Sequence, residues 1–418
     1  MRIATAHAYD TSIQNLQKRQ QDLSESQMQL TSGKRVNVAS DDPTAAARAE
    51  RALASIARGE ANKRSLDASR NVMNITESAL GDSVDLVQTA RETLMAAGNG
   101  TYSDGERKAL AVKLREIRNQ LLNVANRPDG GGGFVFGGQG SANPPFVDSN
   151  TGVTFVGQGG ETLASSSEKL NLTIDGDQTW LKARGGNGVF TTAQGTNVNT
   201  GAANSGSGWI TSGTVTNPSQ LPYPTPSGGS SPSYSVQFHV SGGTTTYDVI
   251  DNSTTPASTL SAGQPYNSGK TIDITGKGMS VSIAGSPADG DSFAIGEATN
   301  NLNLFTSLDR TIAALSQTNA TGSNVQQAVN TGITELDSVL GNLQSARAAV
   351  GESLNRMDGI ESRIETLKLA SATERSNAED LDMTAAISNF QNQQTGYQAA
   401  LQSYASVQKL SLFQYING

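Results

Sequence analysis

With 418 residues, the chain is long enough for two or three domains with real cores. Its net charge of −8 argues against a nucleic-acid phosphate backbone as the main partner, and the absence of cysteine excludes disulfides and thiolate metal sites. Charged residues make up only 16%, below the roughly 25% of ordinary globular chains, and Gly, Ser, Thr, Asn and Gln fill the gap, as in many extracellular and assembly proteins.

The N-terminus, MRIATAHAYD, lacks the apolar core of a signal peptide, and no apolar run approaches the roughly 20 residues of a membrane span. The expectation is a protein that either stays in the cytoplasm or leaves without a cleaved signal. Ala6, Tyr9, Ile13, Leu16, Gln20, Leu23, Gln27 and Leu30 recur at alternating spacings of three and four, a heptad seam with two polar interruptions that calls for a partner helix. The segment LTSGKRVNVASDDP follows, from Leu30 to Pro43. Gly33 suits a left-handed cap, Lys34 and Arg35 complement the negative end of the first helix, and Val36 and Val38 favour extended backbone. Asp42 then caps the next helix, with Pro43 in its first position. The segment reads as a stiff polar spoke between two helices.

A second helical region runs from 43 to about 97, with Leu53, Ile56, Leu66, Met73, Ile75, Leu80, Val84, Leu86 and Leu94 as its apolar positions. Ser103 and Glu106 form a capping box that opens a third helix, which ends where Pro128 meets a run of glycines. From about Phe134 to Ile295 the period becomes two. Tyr234, Val236, Phe238 and Val240, then Gly242 and Gly243, then Tyr247 and Val249, describe a hairpin. Similar alternation at Val153 to Val156, at Leu170 to Ile174, and at Ile272, Ile274, Val281 and Ile283 predicts a mainly antiparallel sheet domain. Thr191 to Pro232, rich in Gly, Ser, Thr, Asn and Pro, reads as exposed loop with few strands. Beyond Thr299 the helical period returns: Ile333, Leu336, Leu340, Leu343, Val350, Leu354, Met357 and Ile364 share one seam, and Met383, Ile387, Phe390, Tyr397, Leu401 and Tyr404 make the last.

The fold class expected is α+β and multidomain: coiled-coil arms and a helical bundle formed by both chain ends, with an inserted mainly antiparallel β domain. The expected domains are residues 1–42 with 375–418 as terminal arms, 43–140 with 300–374 as a helical rod, and 141–299 as the outer β domain.

Catalytic chemistry has little to stand on. His7 and His239 are the two histidines and fall in different expected domains, so no cluster of histidines can bind a metal and a His-dependent triad would need one of these two isolated residues; both read as ordinary helix and strand residues. Ser32 to Arg35 fails the phosphate-loop pattern, and the Asp-Gly-Asp runs at Asp175 and Asp289 read as turns rather than calcium loops. The acid pairs Asp41–Asp42 and Glu379–Asp380 read as a helix cap and a solvated face. Neither catalytic, cofactor nor metal residues are expected. From Met383 onward, however, Lys409 is the sole charged side chain, and the seam is flanked by Gln, Asn, Ser and Ala. An amphipathic helix on a soluble monomer puts charge on its wet face. This one suits packing by copies of itself, with a polar uncharged remainder. The arms are expected to be disordered in the free monomer and to fold on assembly, because interrupted seams do not recover roughly 1–2 kcal/mol per residue of backbone entropy.

LTSGKRVNVASDDPTAA resembles the N-terminal signature of the bacterial flagellin family, through Ser32, Gly33, Arg35, Asn37, Asp41 and Asp42. DLDMTAAISNF and QAALQSYASVQKLSLFQYI are similar to the ending of the hook–filament junction proteins of that family, and MRIAT, FVFGG and PPF point the same way. The resemblance covers about residues 1–146 and 300–418. It implies a structural subunit, not an enzyme, exported without a cleaved signal peptide through the flagellar type III pathway and assembled as a junction ring outside the cell. The partners it implies are copies of itself, flagellin, the adjacent hook-associated protein and an export chaperone, with no nucleic acid and no membrane insertion. Ile13, Leu16, Leu23, Leu30, Ile387, Phe390, Tyr397, Leu401 and Tyr404 would form the assembly interface, and Ser32, Gly33, Arg35, Asn37, Asp41, Asp42 and Pro43 the spoke. The alternatives are a filament flagellin, against which the ending SLFQYING and the missing INTN start both argue, and a tip or adhesin-like module using the loop from Thr191 to Pro232. An enzyme carried in the sheet domain is a further alternative.

Overall fold

A computed structural model describes residues 2–140, 142–160, 163–164, 170–171, 173–226, 228–318 and 322–416. The chain divides into two compact units, Met1–Arg64 with Asp358–Gly418, and Ser65–Met357. The divisions fall inside two long helices rather than at their ends. The helices are α1 (Arg2–Ser32), α2 (Pro43–Ala97), α3 (Asp104–Ala125), α4 (Gly176–Trp180), α5 (Leu304–Ser316), α6 (Gly322–Glu379) and α7 (Met383–Ile416).

In the larger unit, α2 buries Leu66, Ser69, Met73, Thr76, Leu80, Ser83, Val87, Ala90, Leu94 and Ala97 at unbroken spacings of three and four. Large apolar residues alternate with small or hydroxylated ones, so a reading by hydrophobicity finds half of this seam. The hydroxyls of Thr76 and Ser83 are accommodated by donating to the carbonyls of Val72 (2.8 Å) and Ala79 (2.6 Å) within the helix. Ile75, Val84 and Leu86, counted as apolar positions from sequence, are only half-buried. α6 runs antiparallel to α2 here: Arg91 pairs with Asp337 (2.6 Å) and Glu77 with Arg347 (2.6 Å). Its fully buried members include Val339 and Ser353, while Leu340 and Leu354 lie half-buried beside them.

α3 opens with the expected capping box, Ser103 and Glu106 satisfying each other's backbone N–H groups, and packs on α5. Behind α5, Trp180 stacks on Phe305 (6.1 Å, 19°), with Phe136 edge-on to the indole (5.4 Å) and Phe146 beside both. Phe146 opens the hairpin of β1 (Phe146–Ser149) and β2 (Gly152–Phe155). Arg118, buried to 7% on α3, pins this hairpin to α5. Its guanidinium donates to both oxygens of Asp148 (2.6 and 2.8 Å) and to Asp309 (3.0 Å), and lies 5.9 Å from the Phe305 ring centre.

A short pair, β3 (Leu163–Ala164) with β4 (Leu170–Asn171), precedes α4. The remaining strands are β5 (Phe190–Gln194), β6 (Trp209–Ile210), β7 (Thr214–Val215), β8 (Tyr234–Ser241), β9 (Thr244–Asp251), β10 (Ser258–Pro265), β11 (Thr271–Ile274), β12 (Met279–Ala284) and β13 (Ser292–Glu297). One antiparallel sheet has the order β10-β9-β8-β13-β5. A second runs β11-β12-β6, with β7 also on β12. Both contribute to one core, in which Phe190, Tyr234, Phe238, Ile272, Val281 and Phe293 are fully buried. Period-two alternation follows directly: in β11, Ile272 and Ile274 point in while Thr271 and Asp273 point out.

Thr191 to Pro232 is less exposed than its composition suggests. Asn197 is buried and donates to the Asp289 carbonyl (2.7 Å) and the Asp291 carboxylate (3.1 Å). Asp291, also buried, accepts in addition from the backbone of Ser205 (2.9 Å), Gly206 (2.9 Å) and Ala288 (2.8 Å). Composition registered the lack of apolar residues there but not this buried carboxylate, which ties the loop to the Asp289–Asp291 turn. His239 is an exposed strand residue 3.1 Å from Asp248 across the β8–β9 hairpin.

The smaller unit holds α1, α7, residues 43–64 of α2 and 358–379 of α6. Lys63 bridges to Glu361 (3.2 Å) and Glu365 (2.7 Å), and α1 packs along α7. Leu53, expected on an apolar face of α2, is exposed.

Candidate assembly site at the arm junction

α1 stops because Gly33 takes φ +69°, which closes its last turn with an N–H bond to the Gln29 carbonyl (2.9 Å). Ser32 accepts from the Lys34 N–H (3.2 Å), and the Asn37 amide donates to the Lys34 carbonyl (3.3 Å). Asp41 then accepts from the backbone of Asn37 and Val38, both at 3.0 Å, folding the spoke into a turn. Asp42 caps α2 by accepting from Ala45 N–H (3.0 Å), Thr44 N–H (3.1 Å) and the Thr44 hydroxyl (2.8 Å), and Pro43 opens the helix. These bonds, with the Arg35 guanidinium at 3.2 Å, hold its carboxyl at about 2, below the usual 3.8.

Lys34 and Arg35 do not serve the end of α1 as expected. Lys34 pairs with Glu379 (3.3 Å), which Arg375 also meets (2.7 Å). Arg35 reaches Asp42 and the Ala378 carbonyl (2.9 Å). Tertiary partners outcompete the helix dipole because a formed ion pair outweighs a partial charge exposed to water. The backbone repeats the pairing: Arg35 N–H donates to the Glu379 carbonyl (2.7 Å) and Leu381 N–H to the Gly33 carbonyl (3.0 Å). Val36 is buried against Ala45, Ala49 and Ala378. The spoke is therefore half of a junction between two segments of the chain; its other half, residues 378–382, includes the Glu379–Asp380 pair read from sequence as a solvated face, whereas Glu379 is half-buried between Lys34 and Arg375. One signal was available. Asp382 caps α7 at Thr384 (3.0 Å) and Ala385 (3.1 Å), a second Asp-capped helix start like that at Asp42.

Beyond the junction, α1 and α7 pair along faces that mix apolar and polar residues. Leu16, Leu23 and Leu30 are half-buried, as are Phe390, Tyr397 and Tyr404. The Ser26 hydroxyl donates to Gln393 (2.6 Å), and Arg19 lies over Gly396, where a Cβ would come within 2.8 Å of its guanidinium. Ile13 (40% exposed), Ile387 (46%) and Leu401 (42%) stand outside that pairing, with Met28 and Met383 also open. None of the side chains described on either helix is fully buried. His7 lies outside the residues whose side chains are described. Among the described residues, no group of His, Asp and Glu is arranged to hold a metal ion.

Residues 3–141 match the family described as the bacterial flagellin N-terminal helical region, and residues 333–416 match its C-terminal helical region. Together they span more than half the chain. The flagellar hook-associated protein 3 of Salmonella typhimurium is 25% identical over 419 residues, covering 99% of both chains. The crystal structure of the flagellar junction protein FlgL from Legionella pneumophila superposes with a TM-score of 0.66 at 25% identity, over 80% of this chain and all of that one. By contrast, the phase 1 flagellin of Salmonella naestved aligns over 165 residues at 27% identity, 39% of this chain and 31% of the flagellin. The likeness to filament flagellins is thus partial, and that to the hook-associated proteins runs end to end. The chain belongs to the bacterial flagellin family, as a structural protein of the flagellum of the hook–filament junction kind.

Proposed function

We propose that copies of this chain form a ring between the hook and the flagellin filament, held by their terminal helices, with no catalytic role. The observation that carries this reading is the pairing of α1 and α7 without one fully buried side chain among those described, while Ile13, Met28, Met383, Ile387 and Leu401 stay exposed. An isolated helix pair so thinly covered gains little from burial, at roughly 25 cal/mol per Å² of apolar surface. Neighbouring copies supply the missing cover, and the arms order as they assemble. Residues 1–42 and 375–418 act as arms, 43–140 with 300–374 as rod, and 141–299 as outer domain. The chain leaves the cell without a cleaved signal, held by an export chaperone before secretion, and meets a hook-associated protein on one side and flagellin on the other. Among the described residues no helix is long and apolar enough to cross a membrane.

Of Gln391, Gln393, Gln394 and Gln402, the polar uncharged set on α7, Gln393 is half-buried against Ser26 and the other three are exposed, with no charged side chain among the described residues of α7 before Lys409. That face lines the passage for later subunits. Replacing these glutamines by lysine is expected to slow filament growth while leaving incorporation intact, and unchanged growth would count against the lining. The test of the whole reading is immunogold electron microscopy of intact flagella with antibody to the β domain. A single band at the hook–filament boundary is expected. Label along the filament, or none on flagella, would overturn it.

A further inference from the structure

In the smaller unit, the facing stretches of α2 and α6 leave an open groove lined by Arg48, Arg51, Ala52 and Ser55 on one wall and Leu367, Ala370, Ser371 and Glu374 on the other. Two features of this groove are unspent. Arg48 and Arg51 are exposed and have no ion-pair partner among the described residues; Arg51 donates only to the Ala47 carbonyl of its own helix (3.1 Å). Leu367, at the edge of the groove, is 64% exposed.

The same unit carries the complement. On α1, Asp22 and Glu25 are exposed, three residues apart and likewise without an ion-pair partner among the described residues, and Met28, three residues further on, is 58% exposed. Asp22 and Glu25 match the three-residue spacing of Arg48 and Arg51, which on a helix places both members on one face. Six residues from Asp22 to Met28 rise about 9 Å and seven from Arg48 to Ser55 about 10.5 Å, so a parallel helix setting the two acids on the two arginines brings Met28 to the level of Ser55 and Ser371, which bond across the groove (3.1 Å). Within one chain, α1 is committed along α7, and among the described residues Asp22 and Glu25 pair with no arginine. α7 is no candidate, for from Met383 to Gln408 it has no charge to offer the arginines.

We propose that this groove receives α1 of a neighbouring copy, Asp22 and Glu25 pairing with Arg48 and Arg51 while Met28 lies over the groove beside Ser55 and Ser371. This rests on the ring assembly above and names the surfaces that join one copy to the next. A groove on one face and a helix on another make a head-to-tail contact, the kind that propagates around a ring. Glu374, the acid on the opposite wall, confines an acidic helix to the arginine side.

The chain is expressed in cells lacking their own copy, and its retention on purified flagella is measured against the amount shed into the medium. Arg48→Glu with Arg51→Glu, and separately Asp22→Arg with Glu25→Arg, are each expected to lower retention by at least about tenfold, because like charges then face each other across the contact. The chain carrying all four changes is expected to return to within about twofold of wild type, since its charges are again complementary. Co-expressing the two double variants is expected to restore retention as well, each arm now meeting an opposite groove on the other variant. That recovery separates a contact between copies from one within a chain. The milder Arg48→Gln with Arg51→Gln is expected to weaken retention in part and to reduce its loss with added salt. Double variants retained like wild type overturn the proposal. So does their loss without rescue by either the fourfold variant or the mixture. Wild-type chain missing from flagella would instead refute the ring itself.

Discussion

Replacing Arg118 by alanine removes the fastening between α3, the β1–β2 hairpin and α5 in one step. The side chain makes two bonds to Asp148, at 2.6 and 2.8 Å, and meets Asp309 at 2.7 and 3.0 Å, with its plane near the Phe305 ring. The arginine is buried, but both carboxylates are 41% exposed and regain water when it is lost. The loss therefore falls short of the roughly 3–5 kcal/mol for breaking a fully buried pair. Two partly exposed pairs contribute about 0.5–1 kcal/mol each, the ring contact a similar amount, and burial of the stem about 1 kcal/mol. The expected cost is about 2–4 kcal/mol, with Arg118→Met recovering about 1 of it through the stem. Trp180, stacked on Phe305, reports the site: in a Trp209→Phe background its fluorescence follows urea unfolding of this cluster. The guanidinium also holds the Asp148 carboxyl below the usual carboxylate range. Its contribution is complete above the unfolded carboxylate value and fades as pH falls through the lower folded one, so the alanine variant should lose less stability on acidification than wild type. A midpoint unchanged by Arg118→Ala, or acid sensitivity equal in both proteins, would refute this account of the clamp.

Two glycines of α6 test the helix packing in opposite directions. A Cβ at Gly341 would meet nothing within 4 Å, so Gly341→Ala should stabilise by about 0.5–1 kcal/mol in thermal melts, whereas Gly332→Ala meets Thr311 at 2.9 Å and Leu94 at 3.0 Å and should destabilise. Asp42, with its carboxyl at about 2, contributes to the spoke fully above pH 4 and loses this between about pH 4 and pH 2; Asp42→Ala should flatten that part of a pH–stability curve, and Asp42→Asn, which keeps an acceptor, should retain part of the cap at all pH. Hydrogen exchange on the secreted monomer should show fast exchange across residues 10–30 and 385–406 and slow exchange in residues 66–97 of α2, where a buried seam exists; strong protection of the arms in a proven monomer would refute folding on assembly.

Some of this was legible in the residues alone. Period and punctuation placed the helices: Gly33 ended α1, Asp42 with Pro43 began α2, and Ser103 with Glu106 began α3. Strand alternation found the β8–β9 hairpin and the β11–β12 pair. These are local signals, fixed by backbone sterics and by which neighbours along the chain can satisfy free N–H groups. The spoke residues were likewise recognisable as a motif, though their partners were not.

Partners are decided by distant segments, and a single chain of letters does not say which of several suitable ones a residue will meet. Lys34 and Arg35 had a nearby helix end to serve and went instead to Glu379, Asp42 and the Ala378 carbonyl. Ser69, Thr76 and Ser83 became seam residues because the facing helix covers them, which no hydropathy of their own foretells. Asn197 lies in a segment that composition marks as loop and Asp291 in a run that reads as a turn, yet both are buried and bonded to each other. Sequence determined where elements begin, end and turn, because those choices are made within a few residues. The tertiary structure decided which faces close and which remain open, because burial depends on what arrives from elsewhere in the chain.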